Sequence, residues 1–142
     1  MKDVRIKLIT EIRDAGRKEE MTLSEQGQLY TRNETEVLTF TEHPEEGEPV
    51  KTMVTIKPDH ISIKRTGPVD MRQVFQKKRE TENIYHHTYG DFHMRTWTDQ
   101  IEYRSLAEAS QGRLFISYHM TLNHEVEQRH RLTLLFEEER ES

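Results

Sequence analysis

The sequence predicts an all-β fold, a closed antiparallel up-and-down β-barrel of about eight to ten strands formed by one domain over residues 1–142. Three observations carry this expectation. Apolar and polar residues alternate with the period of two expected of strands with one buried face, and no segment sustains the 3.6-residue period of a helix. Short polar turns separate the alternating runs at intervals of about a dozen residues, as in a meander of hairpins. The first and last runs can pair, which removes the exposed edges of an open sheet. A two-sheet sandwich is the alternative, and no internal repeat supports a propeller or solenoid.

The first strand spans 3–13, with Val4, Ile6, Leu8 and Ile12 on one parity and Arg5, Lys7, Glu11 and Arg13 on the other. After the turn DAGRKEE, Met21, Leu23 and Leu29 predict one or two short strands interrupted near Gln26 and Gly27, since glycine within a strand often marks a bulge or bend. Residues 34–42 put Leu38, Phe40 and Glu42 on one face, and the loop HPEEGEPV follows. The run VKTMVTIKPDHISIKRTG at 50–67 is the clearest hairpin: a turn at Pro58 and Asp59 sets Ile56 opposite Ile61, Val54 opposite Ile63 and Thr52 opposite Arg65. A slip of one residue would move Val54 and Ile56 onto the face of Ser62 and Lys64, so this register is well specified.

Residues 69–77 continue the meander with Met71, Gln73 and Phe75 inward. A second hairpin around Gly90 and Asp91 joins 84–89 to 92–99, pairing Tyr89 with Phe92, His87 with Met94 and Tyr85 with Thr96. QIEYRS reads as a separate short strand and LAEASQG as a turn with room for one helical turn. Residues 113–123 place Leu114, Ile116, Tyr118, Met120 and Leu122 on one face. The last strand, 128–138, carries His130, Leu132, Leu134 and Phe136 on one parity and ends in the acidic tail EEERES.

Composition narrows function by exclusion. With 26 acidic against 21 basic residues the net charge is −5, the wrong sign for a general nucleic-acid binder or an anionic membrane surface. No apolar run approaches the length of a membrane span, and MKDVRIKLIT alternates where a signal peptide would be uniformly apolar, so a cytoplasmic protein is expected. The absence of cysteine removes disulfides, thiol catalysis, iron–sulfur clusters and cysteine zinc sites, and no motif calls for a cofactor.

The chemistry-bearing constellation comes from the pairing pattern. Glu42 opposite Val50 puts Phe40 opposite Thr52, so Glu42 and Arg65 fall on the inner face two strands apart, with Thr52 between them. A charge on a buried face needs a partner, and an arginine can span two strand spacings of about 4.8 Å. The expectation is a buried Glu42–Arg65 ion pair with Thr96 and Tyr118 as inward neighbours. It is read either as a structural plug, the more common outcome for an internal pair, or as the polar anchor of a small-ligand site that accepts a carboxylate or phosphate. Removing Arg65 from a sealed pair is expected to cost about 3 to 5 kcal/mol.

The segments LTFTE, TMVTIKPDHISIKRTGPVDMRQVF, YHHTYGDFHMRTWT and GRLFISYHMTLN resemble, over most of the chain, the YwiB-like family of uncharacterised small bacterial proteins. The motifs that carry the resemblance are an aromatic-x-Glu at Phe40 and Glu42, Arg65 with Gly67 and Phe75, Tyr85 before the Gly90 turn, and an inward Tyr118. It implies a lipocalin-like (calycin) barrel in a soluble bacterial protein and no activity. Phe40 departs from the pattern, standing where a tyrosine is expected, and removes a hydroxyl from any polar cluster.

The remaining groups read mostly as surface. Of eight histidines, His86 and His93 lie diagonally on the outer face of one hairpin, a metal candidate without an evident third ligand, since His119 joins them only if its strand is adjacent. Glu42 or Glu25 would be the acid or base of an enzyme and Ser62 or Ser117 its nucleophile, but neither serine has a histidine placed to activate it, so a non-enzymatic role is favoured. Trp97 on the outward parity points to a partner surface such as a homodimer contact. The functional expectation is a small ligand at the barrel mouth, an anion being the class that Arg65 suits; the alternative is a structural or protein-interaction module with a filled barrel, acting as a homodimer.

Overall fold

The computed structural model describes residues 1–124 and 126–139. Ten strands follow in chain order: β1 (Lys2–Asp14), β2 (Arg17–Arg32), β3 (Thr35–Glu42), β4 (Val50–Ile56), β5 (Ile61–Thr66), β6 (Val69–Phe75), β7 (Glu80–His87), β8 (Gly90–Arg104), β9 (Gly112–Leu122) and β10 (Val126–Glu138). Each pairs antiparallel with the next, and β1 closes the ring on β10 from Val4 opposite Glu138 to Arg13 opposite Arg129. The closed barrel expected from the alternation is therefore the fold, and a lipocalin-like description is consistent with it. Arg140, Glu141 and Ser142 of the acidic tail lie outside the described residues.

The inward rows fill the barrel. Phe75, Phe136, Leu38, Ile63, Leu114 and Ile116 are all buried. Gly112 makes room for one of them, because a methyl group there would overlap the Phe136 ring that lies directly across the ladder. The hairpin of β4 and β5 has the register read from its two faces, with Ile56 opposite Ile61, Val54 opposite Ile63 and Thr52 opposite Arg65. Glu42 faces Val50 and Phe40 faces Thr52, as expected.

Three expectations are corrected. Residues 17–32 form one uninterrupted strand, and Gly27 marks the point at which β2 gains β3 as a second neighbour; a side chain there would sit 2.5 Å from the Thr39 carbonyl oxygen. QIEYRS is the far half of β8, not a separate strand. An extra residue at Asp99, between Thr98 opposite Tyr118 and Gln100 opposite Ser117, shifts the alternation by one and hides the continuity. Outside the barrel, Asp99 accepts a bond from Trp97 Nε1 at 3.2 Å, and its carboxylate lies 3.0 Å from His119 Nε2.

The third correction is the register of β7 and β8. Tyr85 faces Phe92 and His87 faces Gly90, so the turn is Thr88–Tyr89 and Gly90, at φ 138°, opens the next strand. The expected pairing would have set Glu82 against Asp99. The observed one sets Glu82 against Arg95 and His86 against Asp91, and opposed unlike charges are favoured over like ones. The two registers differ by four residues, an even number, so every side chain keeps the face assigned to it from the alternation.

Candidate functional site at the barrel mouth

The up-and-down order gathers the β1–β2, β3–β4, β5–β6, β7–β8 and β9–β10 turns at one end. Glu42 is the last residue of β3, Thr52 lies near the start of β4 and Arg65 near the end of β5, so all three reach the interior at this end. Glu42 Oε2 accepts bonds from the Thr52 hydroxyl and from Arg65 Nε, the latter at 3.0 Å. Thr52 is buried, but the Arg65 and Glu42 side chains remain 22% and 19% exposed. The expected ion pair therefore exists and is half-buried, not sealed.

Tyr118 is inward and buried, as expected, and its phenol belongs to a second group. Its hydroxyl lies 3.3 Å from His130 Nδ1, and the two rings stack with centroids 4.9 Å apart. His130 Nε2 lies 3.1 Å from Gln128 Oε1, which only accepts, so Nε2 carries the proton and Nδ1 accepts from Tyr118. Gln128 Nε2 then donates to Asp14 Oδ2 at 3.4 Å. A directed chain thus runs from Tyr118 through His130 and Gln128 to Asp14.

Burial, reinforced by the Arg65 charge, pushes the His130 pKa down to about 4. Burial raises Tyr118 to about 12, and Arg65 offsets part of that rise. One cation thus favours a neutral imidazole while easing the burial penalty on the phenolate.

Thr96 does not join Arg65. It is buried and accepts a bond from Gln73 Nε2 at 2.9 Å, forming a third polar group with the Met120 sulfur 3.8 Å from the same nitrogen. Next along β8, Thr98 is fully buried, and its hydroxyl has no hydrogen-bond partner among the described residues. Sequence reasoning placed His130 and Gln73 on inward rows but did not connect them to Tyr118 and Thr96. The Tyr118–His130 connection is a direct cross-strand pair that the register of the β9–β10 hairpin supplies, whereas Gln73 and Thr96 lie on strands separated by β7, a meeting of which period-two alternation carries no signal.

The histidine candidates are separately engaged. His86 Nδ1 meets Asp91 at 2.7 Å, whereas His93 Nε2 meets Glu82 at 3.4 Å. His119 binds Asp99, and among the described residues no three histidine or acidic side chains are grouped to hold a metal. Ser62 is buried beneath Arg72, whose Nε donates to its hydroxyl at 3.3 Å. No helix of the described residues is long and apolar enough to cross a membrane.

Comparison with known proteins matches this geometry to a family. The family model described as a domain of unknown function, DUF1934, matches residues 6–134. The uncharacterized beta-barrel protein YwiB of Bacillus subtilis (strain 168) is 29% identical over 126 residues, covering 89% of this chain and 87% of the relative. The crystal structure of ywiB protein from Bacillus subtilis superimposes with a TM-score of 0.86 at 24% identity, over 98% of this chain and 93% of that one. The resemblance read from the motifs is thereby borne out, and the shared fold is a β-barrel.

Proposed function

Because the chain belongs to the DUF1934 family, whose description carries no activity, we propose its function from geometry: it binds a small anionic ligand in a shallow site at the barrel mouth, with Arg65 as the recognition group. The observation that carries this reading is the way Arg65 is held. Among the described residues its side-chain partner is Glu42, through Nε alone, and the side chain stays 22% exposed. The terminal nitrogens of the guanidinium are the part that matches a carboxylate or phosphate bidentately. Glu42 and Thr52 fix the inner edge of the fork, while the packed core below limits the site to a shallow one. Thr96 and Tyr118 contribute as buried support beneath the site. A cytoplasmic location belongs to the same proposal.

A second reading is a filled barrel that acts as a homodimer or protein-interaction module. What favours it is the packed interior together with Trp97 and Ile84, which are 41% and 55% exposed on the outer face of β7 and β8. Native mass spectrometry of protein purified from its own host separates the two. A retained small-molecule mass that disappears in Arg65→Gln supports the ligand site; a ligand-free dimer supports the second reading and overturns the first.

A further inference from the structure

The β1–β2 hairpin leaves one strand edge open. On one side β2 pairs with β1 over residues 17–29, but on the other β3 joins it only from Gly27 onward. Among the described residues no strand pairs with that second side over residues 17–26. There β3 turns away, and the Glu25 carboxylate accepts the His43 N–H at 3.2 Å in place of a further rung of the ladder.

The hairpin turn fixes which backbone groups are left over. Ala15 and Gly16, at φ 46° and 83°, form a two-residue turn that closes on Asp14 opposite Arg17. The closing pair of such a turn exchanges hydrogen bonds, and bonded and non-bonded pairs then alternate along the ladder. Arg17, Glu19, Met21 and Leu23 therefore bond to β1, while the N–H and C=O groups of Lys18, Glu20, Thr22 and Ser24 point away from it along the open edge. The side chains change character along the same stretch. Arg17, Lys18, Glu19 and Glu20 are charged, whereas Met21, Thr22, Leu23 and Ser24 are not, and Met21 is 56% exposed.

We propose that this edge takes up an extended segment of a partner polypeptide as an additional antiparallel strand opposite residues 18–24. A row of alternating N–H and C=O groups is complemented by another peptide backbone, and addition of a strand to an open edge satisfies every group in the row. The side chains set the pattern of the partner: β-branched apolar residues opposite Met21 and Leu23, and basic ones opposite Glu19 and Glu20. A second copy of this chain does not fit. A two-fold pairing centred on Lys18, Glu19 or Glu20 sets that charge against its own copy. Centred on Met21 or beyond, the pairing carries the turn of the second copy to the level of Gly27, where β3 already lies.

The test is fluorescence anisotropy with the labelled peptide Thr-Val-Thr-Val-Lys-Lys-Thr, whose first residue is to lie opposite Ser24 and its last opposite Lys18. The N–H groups of its third and fifth residues then face the edge, and those of its second and fourth face away. N-methylation of the third and fifth is expected to weaken binding about tenfold, and of the second and fourth by less than about threefold. Thr22→Pro removes an edge-facing N–H that bonds nothing in β1, and Glu20→Lys reverses an exposed charge; each should weaken binding about threefold to tenfold. Melting midpoints check both folds, and Glu20→Lys carries the test if the proline variant is unstable. Arg65→Gln should bind the peptide as wild type does, because the edge is separate from the mouth site. Equal losses from the two methylation patterns, unchanged affinity in both edge variants, no binding at millimolar peptide, or a wild-type dimer that Thr22→Pro dissolves in sedimentation velocity would overturn the proposal.

Discussion

Arg65 and Glu42 meet across two strand spacings, Nε to Oε2 at 3.0 Å, with the Thr52 hydroxyl bonded to the same carboxylate oxygen from the strand between them. The pair is neither a sealed plug nor a surface ion pair. Water reaches about a fifth of each side chain, so loss of one partner leaves a charge that can be partly hydrated. Arg65→Ala is therefore expected to destabilise the fold by about 1 to 3 kcal/mol, below the figure for a fully buried pair. In the double variant Arg65→Gln/Glu42→Gln much of that loss should return. Urea denaturation midpoints check both, and a double variant less stable than either single one would contradict this account.

Thr98 offers a test with the opposite sign. Its hydroxyl is buried without a partner, and valine has nearly the same shape. Thr98→Val is expected to raise stability by about 1 kcal/mol, because it removes a desolvated polar group. Thr96→Val should do the reverse, costing about 1 to 3 kcal/mol by depriving Gln73 Nε2 of its 2.9 Å acceptor. The difference between the two thermal midpoints is the measurement.

His130 links stability to pH. Its folded pKa, about 4, lies below the ordinary value of 6.5, so between these values the unfolded chain binds the extra proton. The contribution is present in full above pH 6.5 and is lost as pH falls toward 4, to a total of roughly 3 kcal/mol. The His130→Gln variant should flatten the fall of the denaturation midpoint over that window relative to wild type. Parallel pH profiles for the two proteins would show that His130 is not the group responsible.

Gly112 and Phe136 should behave as one unit. Gly112→Ala forces a methyl group into the ring and is expected to cost about 1 to 3 kcal/mol. The smaller side chain of Phe136→Leu should make the same substitution cheaper. A double-mutant cycle measures the coupling, and strict additivity would mean that the ring moves aside freely.

The parts of the fold that could be read in advance are those whose two faces differ chemically. In β4 and β5 every even slip exposes Ile56 or Ile61 and every odd slip inverts the faces, so the register and with it the Glu42–Arg65 meeting were legible. In β7 the inner side chains are Thr81, Asn83, Tyr85 and His87, none strongly apolar, so the core did not discriminate between registers. The outer charges did, through Glu82 with Arg95 and His86 with Asp91. At Asp99 a single extra residue broke the alternation, and a continuous strand looked like two.

What this amino-acid sequence determined by itself is local: which residues form strands, which face each side chain takes, and how a hairpin with one apolar face aligns. The tertiary structure decided which inward polar residues meet. Thr96 and Tyr118 share the interior with Arg65, but the β9–β10 register sets Tyr118 opposite His130, and the coiling of the sheet brings Thr96 to Gln73 two strands away. It also decided that β3 flanks β2 only from Gly27 onward, leaving the edge over residues 17–26 open. The physical reason is the same in both cases. Alternation specifies the side of a sheet, whereas neighbours across a barrel or along an edge depend on how the whole sheet coils, a property of all ten strands together.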